Sequence, residues 1–371
     1  MNEDKASRYQ RLKRRASVLG TVMSAALLLL LLASGGSAFL RDAAFSVAGG
    51  AFLGTVVVWV VLVALTAEAV QLPLAFYRGV TLERRYGLST QTTGGWWADH
   101  AKAASIGLVF AAGGALVVES LIKWSPEWWW AAAAATFSGV TVVLAHLAPI
   151  LLLPLFYEFK PLDRPPLRDR LVALAERAGT RVLGVFEWRL GDKTRKANAA
   201  LTGIGRTRRI LLSDTLLAGH SDDEIEVILA HELAHHVHRD IWTGIAVETA
   251  LMTLGFYLAD IAMTSAVGRF GIAAKWDPAA LPLLLLAGGA VSLLLLPLAN
   301  ALSRAHERRA DRYALEMTGN AGAFISAMKR LGAQNLAEEQ PSGVVQLLFY
   351  THPPLAERID AARRFDSDSH S

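Results

Sequence analysis

The segment His231-Glu232-Leu233-Ala234-His235 combines two residues that bind metal ions with one that can act as a base. Helix positions i and i+4 lie on one face, so both imidazoles can reach one ion while Glu232 stays close and unligated. This pattern is typical of zinc hydrolases, in which two histidines hold the metal and the glutamate takes a proton from water. The alternative is a histidine-rich polar face on a surface helix. Apolar neighbours on both sides of the motif favour the metal site.

A catalytic zinc needs a third protein ligand, and a later segment offers a carboxylate for it. Glu307 and Asp311 are four residues apart and therefore share a helical face. We expect Glu307 to ligate the metal and Asp311 to accept a hydrogen bond from a histidine ligand. His306 is the competing ligand, but on a helix it points about 100 degrees away from Glu307. Glu307 could also belong to a surface charge cluster with the neighbouring arginines.

The elements that must position these residues are mostly membrane helices. Of 371 residues, 53% are hydrophobic and 19% are charged, whereas soluble domains have about 25% charged residues. A helix of about 20 apolar residues crosses a bilayer core. We count six spans, at 16–40, 43–67, 103–118, 128–157, 241–267 and 281–303. We predict a mainly α-helical, polytopic membrane protein with a small α+β, zincin-like cytoplasmic catalytic domain.

Charge and cysteine content exclude other classes of protein. The net charge of +4 is too small to suggest a nucleic-acid partner, and the chain has no cysteine. Disulfides, thiolate metal sites and a cysteine nucleophile are therefore excluded. Any metal ion must be held by histidine and carboxylate.

The distribution of Lys and Arg predicts the orientation in the membrane. Six basic residues precede the first span and Arg78, Arg84 and Arg85 follow the second, whereas Arg41 alone lies between them. The N-terminus is therefore predicted to be cytoplasmic, and six crossings return the C-terminus to the same side. The hairpin of the last two spans then brings Glu307 back to the face of the bilayer that carries the histidines. The alternative is a cleaved signal peptide at the first span, which would leave five spans and invert the topology.

Four parts follow from this topology. We expect a membrane domain with four spans at 1–157, a cytoplasmic α+β segment at 158–240, a membrane hairpin at 241–303 and a helical segment at 304–371. Within the second part, 198–202 and 208–213 flank a turn at 203–207, which predicts a β-hairpin. Ser221 and Glu224 then form a capping box, which starts the helix that carries the histidines.

Three motifs occur in order along the chain: the one at 231–235, Glu307-Arg308-Arg309-Ala310-Asp311, and Thr351-His352-Pro353-Pro354-Leu355-Ala356-Glu357-Arg358-Ile359. In this combination the sequence resembles the type I CAAX prenyl proteases, which are membrane-integral zinc endopeptidases. The segment around Tyr86-Gly87-Leu88 is similar to a loop between membrane helices of that family, and the resemblance covers 52–359. The bacterial heat-shock membrane proteases share the zinc motifs but lack that loop. Eukaryotic members have one membrane helix more than the six counted here, with the shortfall before Arg78.

The resemblance implies one Zn²⁺ per chain, bound by His231, His235 and Glu307. It also implies that Glu232 is the general base that takes the proton of the attacking water and passes it to the leaving amine.

The resemblance assigns further roles to four residues. His352, with Arg358 nearby, would donate to the developing oxyanion, although the His-Pro-Pro segment can also be a simple helix entry. Asn198 and Ala199 would belong to an edge strand that pairs with an extended substrate. Asn198 could instead only begin the hairpin.

These observations predict a membrane zinc endopeptidase that cleaves peptides or membrane-associated proteins. Alternatives are a quality-control protease of the heat-shock type, a metal-binding transporter and a catalytically silent scaffold. A transport site has no need of an unligated base between two ligands, so Glu232 favours the enzyme. We expect an integral protein of the bacterial cytoplasmic membrane with its active site facing the cytoplasm. Its partners would be the lipid bilayer and a peptide or membrane-protein substrate. The native substrate and the oligomeric state are not readable from the sequence.

Overall fold

The architecture comes from a computed structural model that describes residues 4–203 and 207–369. The membrane part comprises α1 (Lys5–Ala33), α2 (Gly36–Val47), α3 (Phe52–Phe76), a π-helical turn (Tyr77–Leu82), α4 (Glu83–Arg85), α5 (Thr93–Trp124), α6 (Trp129–Leu151) and a 3-10 turn (Leu153–Leu155). The middle part comprises β1 (Phe159–Pro161), α7 (Pro165–Arg177), β2 (Gly184–Trp188), β3 (Ala199–Thr202), β4 (Arg209–Ser213), α8 (Asp214–Gly219) and α9 (Asp222–Val237). The last part comprises α10 (Asp240–Ala266), a 3-10 turn (Pro278–Ala280), α11 (Leu281–Thr318), α12 (Ala321–Asn335), α13 (Gly343–Phe349) and α14 (Leu355–Ser369).

The predicted membrane architecture is confirmed. Six helices of the described residues are long and apolar enough to cross a membrane. Their outward surfaces carry large apolar side chains, such as Leu294 and Val109, which are 78% and 72% exposed. Such side chains face lipid rather than water in a membrane protein.

The predicted bounds of the first two spans are wrong. The first apolar run is interrupted at Gly35, which has a φ of +72°, and the second begins only at Phe52, after Gly49 and Gly50 at positive φ. Between them, α2 has 12 residues and is about 18 Å long, which is too short to cross the bilayer. Hydropathy does not reveal these breaks because glycine counts as apolar while it allows the chain to turn.

The middle part is built on a four-stranded sheet with the order β1-β2-β4-β3. β1 and β3 are antiparallel to their neighbours, whereas β2 and β4 are parallel. The predicted hairpin is present, with Ala199 opposite Leu212, and part of its turn, 204–206, lies outside the described residues. β3 is an edge strand, so one side of its backbone is not paired with another strand.

α9 lies at the centre of the apolar core of this part. Its buried residues Ile225, Leu229 and Leu233 join side chains of α7, β4, α12 and α14, including Leu171 and Phe324. A helix that is buried on most of its surface is held in one position, so the polar residues that it carries have defined places.

Candidate active site

α9 presents the two histidines from a helix with a strong start. Ser221 Oγ accepts a hydrogen bond from the backbone N–H of Glu224, whose carboxylate accepts one from the N–H of Ser221. Asp222 and Asp223 lie in the first turn, where acidic groups stabilise the positive end of the helix dipole. His231 and His235 are one turn apart, with ring centroids separated by 5.0 Å.

α11 brings Glu307 to the two imidazoles. Glu307 Oε2 lies 3.2 Å from His231 Nε2, and Glu307 Oε1 lies 3.5 Å from His235 Nε2. Each of the three residues offers one ligand atom, and these atoms lie within 4.8 Å of one another. α11 is continuous from the membrane span to Thr318, so the position of Glu307 is set by the packing of α11 against α9 and α10.

The polar atoms of this group fit a cation. Glu307 Oε2 is buried without a hydrogen-bond partner among the described residues, although His231 Nε2 is only 3.2 Å away. When the His231 proton is on Nδ1, toward Asp311, Nε2 has a lone pair, and a buried carboxylate oxygen that faces a lone pair is unfavourable unless a positive charge lies between them. Two imidazoles and one carboxylate are a donor set that zinc prefers.

Asp311 and Arg358 stand behind His231. His231 Nδ1 lies 2.9 Å from Asp311 Oδ1, so its Nε2 is directed to the other ligands. Arg358 Nε donates to Asp311 Oδ2 at 2.8 Å, and its Nη2 donates to Oδ1 at 2.5 Å. The guanidinium is therefore bound to Asp311 in a bidentate pair.

Asp240 supports His235 in the same way, and sequence reasoning missed it. Its Oδ2 lies 2.9 Å from His235 Nδ1, while its Oδ1 forms an ion pair with Arg309. Arg239 has a φ of 58° and interrupts the helix between α9 and α10, and Asp240, the first residue of α10, lies against His235. His306 lies near the same carboxylate, with Nδ1 3.9 Å from Asp240 Oδ1.

Glu232 is partly buried beside the two histidines. Burial raises the pKa of its carboxyl group, and the charges of His231 and His235 oppose that shift. A carboxylate with a raised pKa is a stronger base, and it remains useful for proton transfer near neutral pH.

His352 reaches the same group from the segment before α14. Its Nε2 lies 3.4 Å from Glu307 Oε1, and its side chain is 58% exposed. Thr351 Oγ1 lies 2.9 Å from His352 Nδ1. When that hydroxyl donates to Nδ1, the proton of the neutral imidazole is on Nε2, where it can be donated.

The edge strand β3 runs beside α9. His236 Nε2 lies 3.1 Å from the carbonyl oxygen of Leu201, and this contact connects α9 to β3. The backbone N–H of Asn198 donates to Ser213 Oγ, and the Asn198 carbonyl accepts from the N–H of Ser213. Asn198 has an exposed side chain, and Ala199 is the first residue of β3.

Comparison with known proteins identifies the family. Residues 161–366 match the family model described as Peptidase family M48, and residues 2–158 match one described as CAAX prenyl protease N-terminal, five membrane helices. This chain belongs to peptidase family M48. In the N-terminal part the described residues contain four helices long enough to span, and the short α2 lies between the first two.

Relatives cover most of the chain. It is 32% identical over 316 residues to the uncharacterized metalloprotease YhfN of Bacillus subtilis. The aligned region covers 82% of this chain and 72% of that protein. It is 28% identical over 323 residues to CAAX prenyl protease 1 of Saccharomyces cerevisiae, with 79% and 68% covered. The crystal structure of S. mikatae Ste24p has the same fold, with a TM-score of 0.87 at 22% identity and coverage of 96% and 88%.

Membership of the M48 family confirms the predicted class of protein. The chain is a membrane-embedded metalloendopeptidase, and the family implies a metal ion, which is typically zinc. This favours the enzyme over the transporter and the scaffold considered from the sequence.

Proposed function

We propose that the metal is one Zn²⁺ held by His231 Nε2, His235 Nε2 and the carboxylate of Glu307. The single observation that carries this assignment is the approach of the three ligand atoms to within 4.8 Å, with a separate carboxylate behind each imidazole. Zinc in such a site supplies Lewis acidity toward a carbonyl oxygen and makes water more acidic.

The residues around the three ligands take the remaining roles in peptide hydrolysis. Glu232 accepts the proton of the attacking water and delivers it to the leaving amine. His352 Nε2 donates a hydrogen bond to the oxygen that becomes negative in the transition state. Arg358 acts through Asp311, because its two hydrogen bonds hold that carboxylate against His231.

The substrate would bind as an extended peptide along β3. The free side of an edge strand offers backbone N–H and carbonyl groups, and pairing of this kind fixes a peptide by its backbone more than by its side chains. Asn198 and Ala199 lie at the start of this strand. The chain just before them contacts α12. The substrates are therefore peptides or membrane-associated proteins, and turnover of membrane proteins is an alternative to the cleavage of prenylated ones.

The site would face the cytoplasm of a bacterial cell, from its inner membrane. The support is the excess of Lys and Arg before the first span and after the second, because loops rich in these residues stay on the cytoplasmic side. The division into the four parts 1–157, 158–240, 241–303 and 304–371 is part of the same proposal.

The substitution Glu232→Gln tests the proposed mechanism. The purified protein should lose at least 10³-fold in the rate of cleavage of fluorescein-labelled casein and keep one zinc per chain by elemental analysis, because a glutamine cannot take the proton. Glu316→Gln, at an exposed position near the end of α11, is the matched control and should cleave like the wild type. A Glu232→Gln protein that is fully active would remove Glu232 from the mechanism.

The class of substrate is tested separately. A peptide with a quenched fluorophore and a C-terminal CAAX motif is given, with and without a farnesyl group on its cysteine, to the wild-type protein and to Glu232→Gln. Cleavage of the farnesylated peptide alone would identify a prenyl protease. Equal cleavage of both would favour a general role in membrane-protein turnover.

A further inference from the structure

The position of His352 depends on neighbouring segments rather than on a helix or strand of its own. Residues 350–354 have no regular structure and connect α13 to α14. The His352 side chain is mostly exposed, and its own contacts are Thr351 and Glu307. The backbone just before it must therefore be held by other residues if Nε2 is to stay near the ligands.

Arg304 holds this backbone from α11. It lies one turn before Glu307, is 7% exposed, and its Nη1 donates to the carbonyl oxygens of Gln346 at 3.0 Å and Tyr350 at 2.7 Å. In the part of the chain that the structure describes, no carboxylate forms an ion pair with it. A buried guanidinium that has backbone carbonyls as its partners carries a desolvation cost, which its hydrogen bonds to the chain before His352 offset.

Further contacts hold the same segment on two sides. On the α11 side, Asn300, four residues before Arg304, donates from Nδ2 to the carbonyl oxygen of Leu347 at 3.3 Å. On the α1 side, Arg14 Nη1 donates to Glu338 Oε2 at 2.6 Å, and the Tyr350 hydroxyl donates to the same oxygen at 2.7 Å. Tyr350 is therefore held by its backbone and by its side chain.

We propose that Arg304 is a positioning residue for His352. Arg304 and Glu307 lie one turn apart on α11. A single rigid helix therefore fixes both a metal ligand and the segment that carries the oxyanion donor. Tyr350, bound to Glu338 and Arg14, completes the support from the cytoplasmic end of α1. The inference rests on the role proposed for His352.

A double-mutant cycle tests whether Arg304 acts through His352 or only stabilises the fold. Arg304→Met fills the buried position without the hydrogen bonds and avoids leaving an unpaired charge. His352→Ala and the double variant complete the cycle, all measured as zinc-loaded full-length protein in detergent with a quenched fluorogenic peptide. Arg312→Met, an exposed arginine on the same helix, is the control and should retain the wild-type kcat.

The expected result is a strongly non-additive cycle. His352→Ala should lower kcat about 10²-fold, as loss of an oxyanion donor does, and Arg304→Met should lower it by at least 10-fold with KM within 2-fold and one zinc per chain. In the His352→Ala background Arg304→Met should have no further effect on kcat. Arg304→Lys, which keeps donors for the two carbonyls, should recover part of the rate.

Two outcomes would overturn the inference, and they are distinguishable. If Arg304→Met lowers kcat by the same factor in both backgrounds, Arg304 acts independently of His352 and the positioning role is wrong. If His352→Ala is fully active, the proposed role of His352 itself is wrong, and the inference falls with it. Should Arg304→Met not fold, Tyr350→Phe removes only the hydroxyl and enters the same cycle. It should lower kcat by about 2- to 5-fold with His352 present and leave it unchanged without His352.

Discussion

The two histidines of the proposed metal centre are supported by different regions of the molecule. His231 lies against α11 and α14, where its side chain is 9% exposed and Asp311 is paired with the buried Arg358. His235 lies at the membrane end of α9, where its side chain is 26% exposed. The distance from Nδ1 to the carboxylate is 2.9 Å in both cases. The geometry is therefore shared and the two carboxylates are similarly buried, but His231 and Arg358 are less exposed than His235 and Arg309. The first support therefore belongs to the core of the fold as well as to the site.

Removal of the metal should have the largest effect, because both supports act through the ion. Chelation should abolish cleavage and lower the thermal unfolding midpoint, since a ligand present at about 1,000 times its Kd stabilises the folded state by about 4 kcal/mol. Added zinc should restore both. If the protein stays fully active when elemental analysis shows that the metal is gone, the proposed centre is contradicted.

Asp311→Asn tests the buried support and should have the next largest effect. Zinc affinity should fall about 10- to 100-fold, as for other groups that orient a metal ligand. The variant should also lose about 3 kcal/mol of stability because Arg358 is left buried without its charge partner. Zinc titration and thermal unfolding measure the two effects.

The double variant Asp311→Asn, Arg358→Met is the control for that prediction. It should recover stability because no charge is left unpaired, but it should not recover zinc affinity. Recovery of both would mean that Asp311 does not orient His231.

Asp240→Asn tests the support whose arginine partner is more exposed, and it should have a smaller effect. Zinc affinity should fall about 10-fold, but stability should change by less than about 1 kcal/mol because Arg309, at 43% exposure, can turn to water. A loss of stability equal to that of Asp311→Asn would show that burial is not what separates the two supports.

Arg239→Gly should have the smallest effect. Arg239 adopts the left-handed conformation at φ 58°, which costs about 1 kcal/mol for most residues and little for glycine. The thermal midpoint of Arg239→Gly should be equal to or slightly above that of the wild type, and that of Arg239→Val should be lower. The reverse order would mean that the side chain of Arg239 matters more than its backbone.

The sequence predicted those parts of the site that lie on regular helices. His231 and His235 on α9, and Glu307 and Asp311 on α11, meet because one-turn spacing places each pair on one face. Asp240 could not be found in this way. On a continuous helix, five residues after His235, it would point about 140 degrees away from that histidine, and the left-handed conformation of Arg239 interrupts the helix and removes this separation.

The remaining differences depend on long-range packing and on glycine. The pairing of Arg358 with Asp311 and the contacts of Arg304 join segments that are far apart in sequence, and no local pattern predicts them. The six spans were predicted from hydropathy, but the bounds of the first two were not, because the turns at Gly35 and Gly49 are features of backbone conformation.

The three proposed ligands lie at the two ends of the membrane hairpin formed by α10 and α11. His235 lies just before α10 begins, and Glu307 lies on the part of α11 that extends beyond its membrane-spanning segment. Coordination of the proposed zinc by these residues would therefore close a loop of chain that includes the entire hairpin, as a reversible cross-link does. If the metal is the proposed zinc, its loss would remove the catalyst and would also weaken the connection between the sheet-containing part of the protein and its membrane helices.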